Sequence, residues 1–592
     1  METTTAGTTE SGYLGWLRRN HQTLRNALDG DEQSDRGIAL RSAQREFARS
    51  WADRLRSTAR DGGGDHSAHM CTGSGKSGCA SLVVAGAGGW PERAGVPAQP
   101  LVLILSPLRA SRDAIADHLH NFLARTGTVS HNEAAELAAH TWRYESVLAC
   151  GVELAEQRLE SLRQAWVVAS TVGALYEDFR RWVVGTPGGC AAQLRALLLA
   201  RVAVIVFDEG DMGVWHRADR HAPGGGWPAL RLWCAETWPQ APRLFMSATL
   251  GCEGTVGCQQ MTKYRFYRYS YRQAVLDGVV HRAELISLEP CNGVRIRCAH
   301  HHHHRANSEH TGGICGCRTV AADCLSAAER RLVARSQSCC SALLRAALQQ
   351  LDNWRERCGD QQAMMLVVAP TLRMVDVLQT EAAAQSRVAL AIKGTSTDDH
   401  RNRALARAAA GAVDVLIVCS ALARGANLGP HASCVLNLRP FANVDPLVQT
   451  VLGRVVRRST EATHSHALII ESAANQHGRL YEAFADDDGS DNHCDDGHHH
   501  SNLAEKVVTQ RTMSVALNEP VDEEGQELVD EDEQSEQDHT ARVDQPSSCH
   551  IGDGLWANFA AGPTGWRLLC WLYAVPAGVW QQLHSADGRH RR

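Results

Sequence analysis

The run Thr72-Gly73-Ser74-Gly75-Lys76-Ser77 has the residue types that hold a phosphate chain. Two glycines let the backbone close its N–H groups on phosphate oxygens. An ammonium group neutralises β/γ charge, and the hydroxyl of Ser77 is placed to hold Mg²⁺. Such a turn also occurs without this chemistry, but composition adds a second argument. The chain has 60 basic residues and only four are lysines. A compact point charge at position 76, in a composition that otherwise favours arginine, suits a phosphate-binding loop.

Asp208-Glu209-Gly210-Asp211 follows the most apolar run of the chain, Val202–Phe207. The C-terminal end of a buried strand is where an open α/β sheet presents ligands. Asp208 there would hold Mg²⁺ through water, and Glu209 would orient and deprotonate an attacking water. Taken singly, a solvated acidic turn explains these residues equally well. Ser247-Ala248-Thr249 after Leu244-Phe245-Met246 is by itself an ordinary strand exit; its value lies in coming third in this order.

The elements that must carry these loops are short apolar runs between helical patterns. Leu101–Leu105, Trp166–Ala169, Val202–Phe207 and Leu244–Met246 lack polar alternation, as strands covered on both faces do. A second set comprises Met365–Val368, Val415–Val418, Val435-Leu436 and Ala467–Ile470. Leu344, Leu348 and Leu351 form a helical stripe before it. The expected class is α/β, with two domains built on parallel sheets flanked by helices, plus a disordered acidic region. The expected divisions are a flexible N-terminus at 1–37, a nucleotide-binding domain at 38–282, a Cys/His-rich insertion and linker at 283–342, a second α/β domain at 343–484, the acidic region at 485–550 and a Trp-rich element at 551–592. Too little apolar surface to offset ordering entropy is the reason for expecting disorder in the acidic region.

Taken together, the motifs resemble those of superfamily 2 DEAD/DEAH-box-like helicases, closest to the branch of the type III restriction motor subunit and the XPB-like repair helicases. Upstream, Leu40-Arg41-Ser42-Ala43-Gln44-Arg45-Glu46 resembles the glutamine motif, which implies that Gln44 reads the adenine edge. Ser106-Pro107-Leu108-Arg109 and Ser170-Thr171-Val172-Gly173 resemble motifs that contact the nucleic-acid backbone. Tyr269-Ser270-Tyr271 with Ala274, Asp277 and Gly278 is similar to the segment closing the first motor domain. Downstream, Val368-Ala369-Pro370-Thr371, Ala423-Arg424-Gly425-Ala426-Asn427 and Gly453-Arg454-Val455-Val456-Arg457 resemble motifs IV, V and VI, and Leu438-Arg439-Pro440 matches the restriction-motor branch.

The resemblance covers about residues 38–480. It implies that the two α/β domains are RecA-like, with ATP and Mg²⁺ as cofactors. Thr72, Gly73, Ser74, Gly75, Lys76, Ser77, Gln44, Asp208 and Gly425 would contact nucleotide, with Ser77 and Asp208 on the metal. Glu209, Lys76, Arg454 and Arg457 would be the catalytic set. Arg454 and Arg457 fall one helical turn apart, so both can face a cleft between the domains. Arginines supplied to a γ-phosphate in this way contribute roughly 10³–10⁵ in rate.

The expected activity is an ATP-dependent helicase or translocase on nucleic acid, with DNA favoured over RNA. An ATP-switched scaffold that clamps nucleic acid without unwinding is the alternative. It is motivated by three departures: Met70 where the family prefers a small residue, Asn427 in place of the usual acid, and Gln449 four residues before Gly453 with Thr450 in the expected place. No nuclease motif of paired carboxylates and lysine follows residue 480, where Lys506 is the only lysine.

The formal charge of -6 conceals a division. The stretch Asp486–Asp544 holds 19 acidic and three basic residues, leaving the remainder at +10. A basic body suits a polyanion, although arginine-rich composition alone produces one. The 20 cysteines follow no disulfide framework, and a chain of 592 residues can fold without one. Cys291, Cys298, His300 to His304, His310, Cys315, Cys317 and Cys324 crowd one segment. Their content suits zinc, but the spacing matches no pair of CxxC knuckles, so a compositional surface loop is favoured and zinc is the lesser alternative. No apolar run reaches the length of a membrane span, and the N-terminus has no signal core, so a soluble intracellular protein is expected.

Overall fold

Seven strands form a first sheet: β1 (Asp65–Met70), β2 (Leu101–Ser106), β3 (Thr141–Tyr144), β4 (Val167–Thr171), β5 (Val202–Asp208), β6 (Arg243–Ser247) and β7 (Arg265–Tyr269). Their order is β3-β4-β2-β5-β6-β1-β7, and every pairing is parallel. The computed structural model describes residues 12–29, 40–58, 64–71, 73–93, 96–184, 189–210, 226–248, 264–291, 294–297, 317–419, 428–441, 453–457, 466–475, 477, 508–515 and 521–522.

β2, β4 and β6 are buried throughout, as their unbroken apolar runs require. β1 is different. Its sequence is Asp-His-Ser-Ala-His-Met, yet its last five residues are buried. No apolar run marks it, so periodicity could not have found the strand that carries the candidate phosphate loop. Asp65 at its start is bracketed by Arg243 at 2.6 Å and Arg231 at 2.8 Å. His66 accepts a 3.4 Å hydrogen bond from Nε of Arg54, and burial, with help from that cation, pushes its pKa down to about 4.

A second seven-stranded sheet has the order β12-β13-β11-β14-β15-β8-β16, again wholly parallel. Its strands are β8 (Arg282–Pro290), β11 (Met364–Val368), β12 (Ala389–Ile392), β13 (Val415–Val418), β14 (Ala432–Asn437), β15 (His466–Ser472) and β16 (Val508–Val515). The helix Gln337–Cys358 covers it with the expected stripe, Leu344, Leu348 and Leu351 being buried. Two parallel sheets flanked by helices make two RecA-like domains. A small third sheet joins β9 (Val294–Arg297), β10 (Cys317–Val320) and β17 (Val521–Asp522).

Three expected boundaries move. The helix Tyr13–Asp29 lies within the expected flexible N-terminus but buries Tyr13, Trp16, Leu17 and Leu24. Trp16 donates from Nε1 to the carbonyl of Glu133 at 3.0 Å, and Tyr13 stacks on Trp166 at 5.5 Å. Alternating polar residues mask that apolar face in the sequence. β8 belongs to the second sheet and not to the insertion. β16 comes from the stretch expected to be disordered, because pairing with β8 supplies the backbone hydrogen bonds and Met513 and Val515 pack on the core. The Trp-rich element lies outside the described residues. Among the described residues, no helix is long and apolar enough to cross a membrane.

Candidate functional site

β5, β6 and β1 are neighbours, so the three loops leaving their C-terminal ends meet at one edge of the first sheet. The register sets Asp208 beside Met246 and His69 beside Ser247. Three motifs far apart in the chain therefore converge by strand order alone.

The phosphate loop leaves β1 at Cys71, whose N–H donates to the carbonyl of Tyr269 at 3.0 Å. Burial pushes the Cys71 thiol up to about 12, against the nearby charge of Lys76, so it remains protonated and inert. Gly73 and Gly75 have φ of +84° and +100°, the left-handed region that favours glycine. The helix Lys76–Val84 begins directly after Gly75 and places Lys76 and Ser77 in its first turn. Its N-terminal amides and partial positive charge face the Gly73–Gly75 turn and would favour an anion there. Ser74 is fully buried. Thr72 lies outside the described residues.

Nζ of Lys76 lies 3.7 Å from Oε1 of Glu209, and both side chains are largely shielded from solvent. The hydroxyl of Ser247 donates to Oε2 of Glu209 at 3.4 Å. Glu209 has φ of +53°, unusual for a residue with a side chain. Gly210 explains how the turn is held. Its N–H donates to the carbonyl of Met246 at 3.0 Å, and a Cβ built there would lie 2.9 Å from that of Phe245. Asp208, half-buried at the end of β5, is one residue nearer the sheet.

Gln44 is buried in the first turn of the helix Ser42–Ser57, its Oε1 accepting the N–H of Arg41 at 3.1 Å. Its amide nitrogen packs directly on the phosphate loop: a Cβ on Gly75 or Gly78 would lie 2.7 or 2.6 Å from it. Arg41 donates from Nη1 to the carbonyls of Gly73 and Ser74, both at 3.4 Å. Sequence reasoning did not single out Arg41 for this contact; its place three residues before Gln44 was the available signal.

The second domain reaches this loop through Arg457. Arg457 forms an antiparallel bridge with Val280, just before β8, and the His281 N–H donates to the Val456 carbonyl at 2.7 Å. Nε of Arg457 donates to the carbonyl of Gly453 at 3.1 Å. Burial lowers the guanidinium pKa, and the Glu209 charge opposes that shift, so the two side chains share one electrostatic environment. An arginine remains charged under such a shift. The expected single helical turn from Arg454 to Arg457 is not what forms. The described helix is only Gly453–Val455, and Arg457 lies beyond it in the bridge. Arg454 is buried within that short helix.

Met70 is fully buried at the end of β1 and packs in the hydrophobic core. The core therefore accommodates the bulk of this departure from the family's small residue. Gly425, Asn427, Gln449, Thr450, Thr249 and Asp211 lie outside the described residues. So do most members of the Cys/His segment, and among the described residues no three His, Cys, Asp or Glu side chains gather as a metal site.

Residues 345–459 match the helicase conserved C-terminal domain. They span most of the second sheet's elements and include Arg454 and Arg457. No curated protein matches the chain. Among solved structures, it is similar to a fragment assigned to the HsdR subunit of a type I restriction enzyme from Vibrio vulnificus YJ016, with 12% identity, TM-score 0.49, and coverage of 83% of this chain and 72% of that one. It is also similar to Mss116p bound to ssRNA and AMP-PNP (12% identity, TM-score 0.47, 96% and 88% covered) and to the helicase MrfA bound to DNA (14%, 0.47, 78% and 50%).

Proposed function

We propose that this chain, a superfamily 2 helicase-like protein by its helicase C-terminal domain and its motif series, is a nucleic-acid-dependent ATPase that hydrolyses ATP between its two RecA-like domains. The observation that carries the reading is Arg457 of the second domain packed against Gly73 of the phosphate loop, where it feels the charge of Glu209. Hydrolysis between two domains requires such a cation, supplied by one domain to the phosphate site of the other.

The residues present fit ATP. Gly73 and Gly75 open the loop to phosphate oxygens, Lys76 meets the β/γ charge, and Gln44 lies beside the loop for the adenine edge. Ser77 and Asp208 would hold Mg²⁺, which when bound supplies charge neutralisation between the β- and γ-phosphates. Lys76 pairs with Glu209. An arriving γ-phosphate competes for Lys76 and releases the Glu209 carboxylate to orient and deprotonate water. Ser247 holds the second carboxylate oxygen meanwhile. Arg457, with Arg454, stabilises charge on the transferring phosphoryl group.

Alternating closure and opening of the cleft would step the chain along a nucleic-acid backbone. DNA is the track to test first, on the resemblance to the restriction-motor branch. Affinity should fall steeply with salt, because phosphate contacts release counterions.

Steady-state ATPase rates with single- and double-stranded DNA and RNA, beside a Lys76→Ala control, test the reading. Stimulation by one nucleic acid that is lost in the control supports it and names the track. Background rates under every condition sink it in favour of a clamp that does not hydrolyse ATP.

A further inference from the structure

We infer that His69 is a positioning residue that ties the phosphate-loop strand to the Ser247 loop and so sets Glu209 for hydrolysis. The inference rests on the ATPase reading above. His69 is the penultimate residue of β1, two positions before the loop begins, and only 5% of it is exposed. A histidine so placed is out of keeping with a strand interior unless it is hydrogen-bonded. Its Nε2 lies 2.5 Å from the carbonyl oxygen of Ala248. A carbonyl only accepts, so Nε2 carries the hydrogen and donates it.

The ladder explains why a side chain is used here. Parallel pairing between β1 and β6 ends with His69 beside Ser247. Ala248 lies one residue past the last pair and is fully buried. The imidazole extends the attachment of the two strands by that one residue. Ser247, immediately before Ala248, is the residue whose hydroxyl meets Glu209 at 3.4 Å, and Glu209 meets Lys76 at 3.7 Å. Lys76 connects back to His69 through the phosphate loop itself. The contacts thus close a ring: His69 to Ala248, Ser247 to Glu209, Glu209 to Lys76, and along the loop to His69. A shift of the loop on nucleotide binding reaches Glu209 by two routes, one through Lys76 and one through His69. When Lys76 leaves for phosphate, the His69 route still holds the carboxylate.

His69→Phe keeps a flat ring and removes the donor, whereas His69→Gln keeps a donor of similar reach. Stimulated ATPase and binding of a fluorescent ATP analogue are measured on the full chain. His69→Phe is expected to lower kcat about tenfold, the scale of one buried hydrogen bond. The analogue's Kd should stay within about twofold, and His69→Gln should recover most of kcat. A merely structural role would shift Kd and kcat together and would not be rescued by Gln; that pattern, or unchanged kcat in His69→Phe, overturns the inference. If the wild-type chain itself shows no Lys76-dependent hydrolysis, the ATPase reading fails separately. Amide hydrogen exchange across residues 244–248 then decides the contact: faster exchange in His69→Phe than in both wild type and His69→Gln upholds it, and equal exchange overturns it.

Discussion

Arg457 lies against Gly73: a Cβ built on Gly73 would sit 3.3 Å from Cγ of Arg457 and 3.2 Å from Cγ1 of Val280. Arg457 of the second domain and Gly73 of the loop after β1 in the first are thus in contact. The bridge between Val280 and Arg457 fixes their approach. The phosphate loop and the joint between the domains are one piece of structure.

Replacing Arg457 should separate chemistry from binding. Arg457→Ala is expected to lower the nucleic-acid-stimulated kcat by about 10³ while leaving nucleotide binding within a few-fold. Arg457→Lys should recover little, because a lysine lacks the planar fork that meets two phosphoryl oxygens. Single-turnover hydrolysis beside analogue titration measures both. A kcat that survives Arg457→Ala would remove this residue from the catalytic set.

Gly75 faces two demands at once. Its φ of +100° is strained for any side chain, and a Cβ would lie 2.7 Å from the Gln44 amide nitrogen, which would have to shift. Gly75→Ala should weaken nucleotide binding by roughly ten- to a hundredfold, the equivalent of about 1–3 kcal/mol of backbone strain. Gly151, where an added Cβ would meet nothing within 4 Å, is the control, and Gly151→Ala should bind as wild type does. Equal affinities for the two variants would show that the Gln44 contact is not tight.

Asp65 makes a pH-dependent contribution to stability. Burial raises its pKa, but the cations of Arg243 and Arg231 outweigh that and hold it below 3.8. A carboxylate depressed in the folded state stabilises above its unfolded pKa and loses that stabilisation as pH falls through the folded value. Asp65→Asn should therefore lower the melting temperature at pH 7, on the scale of about 3–5 kcal/mol for a broken, largely buried ion pair. The gap between variant and wild type should narrow as pH falls below 3.8. A gap that stays constant with pH would mean that the aspartate acts through packing alone.

The helix Tyr13–Asp29 should behave as part of the first domain. Trp16 is fully buried and hydrogen-bonded to Glu133. Trp16→Ala is expected to destabilise that domain by about 3–5 kcal/mol, visible as a lower first transition in thermal unfolding. No change in that transition would mean that the helix is an appendage.

The readable parts of the chain were its short, contiguous signals. Lys76 between Gly75 and Gly78, Asp208-Glu209 after an apolar strand, and Arg454 with Arg457 could be singled out because the chemistry proposed for each needs neighbouring residue types. The apolar runs of β2, β4, β5, β6, β11 and β13 were legible because burial on both faces leaves no polar alternation. β1 was not, since Asp65, His66, Ser67 and His69 are polar, and the partners of Asp65, His66 and His69 include Arg243, Arg231, Arg54 and Ala248, all far away in the chain or on other elements.

By itself the sequence determined the order of the motifs and the two α/β domains, and it singled out the residues on which the phosphate chemistry is proposed, because these follow from local composition and spacing. Tertiary structure decided which strands joined which sheet. β8 left the insertion, β16 was drawn from an acidic stretch, and an N-terminal helix closed over aromatic rings. It alone also set Arg457 on Gly73 and His69 on Ala248. Contacts of this kind join residues far apart in the chain, and their free energy comes from pairing and burial that exist only once both partners are folded.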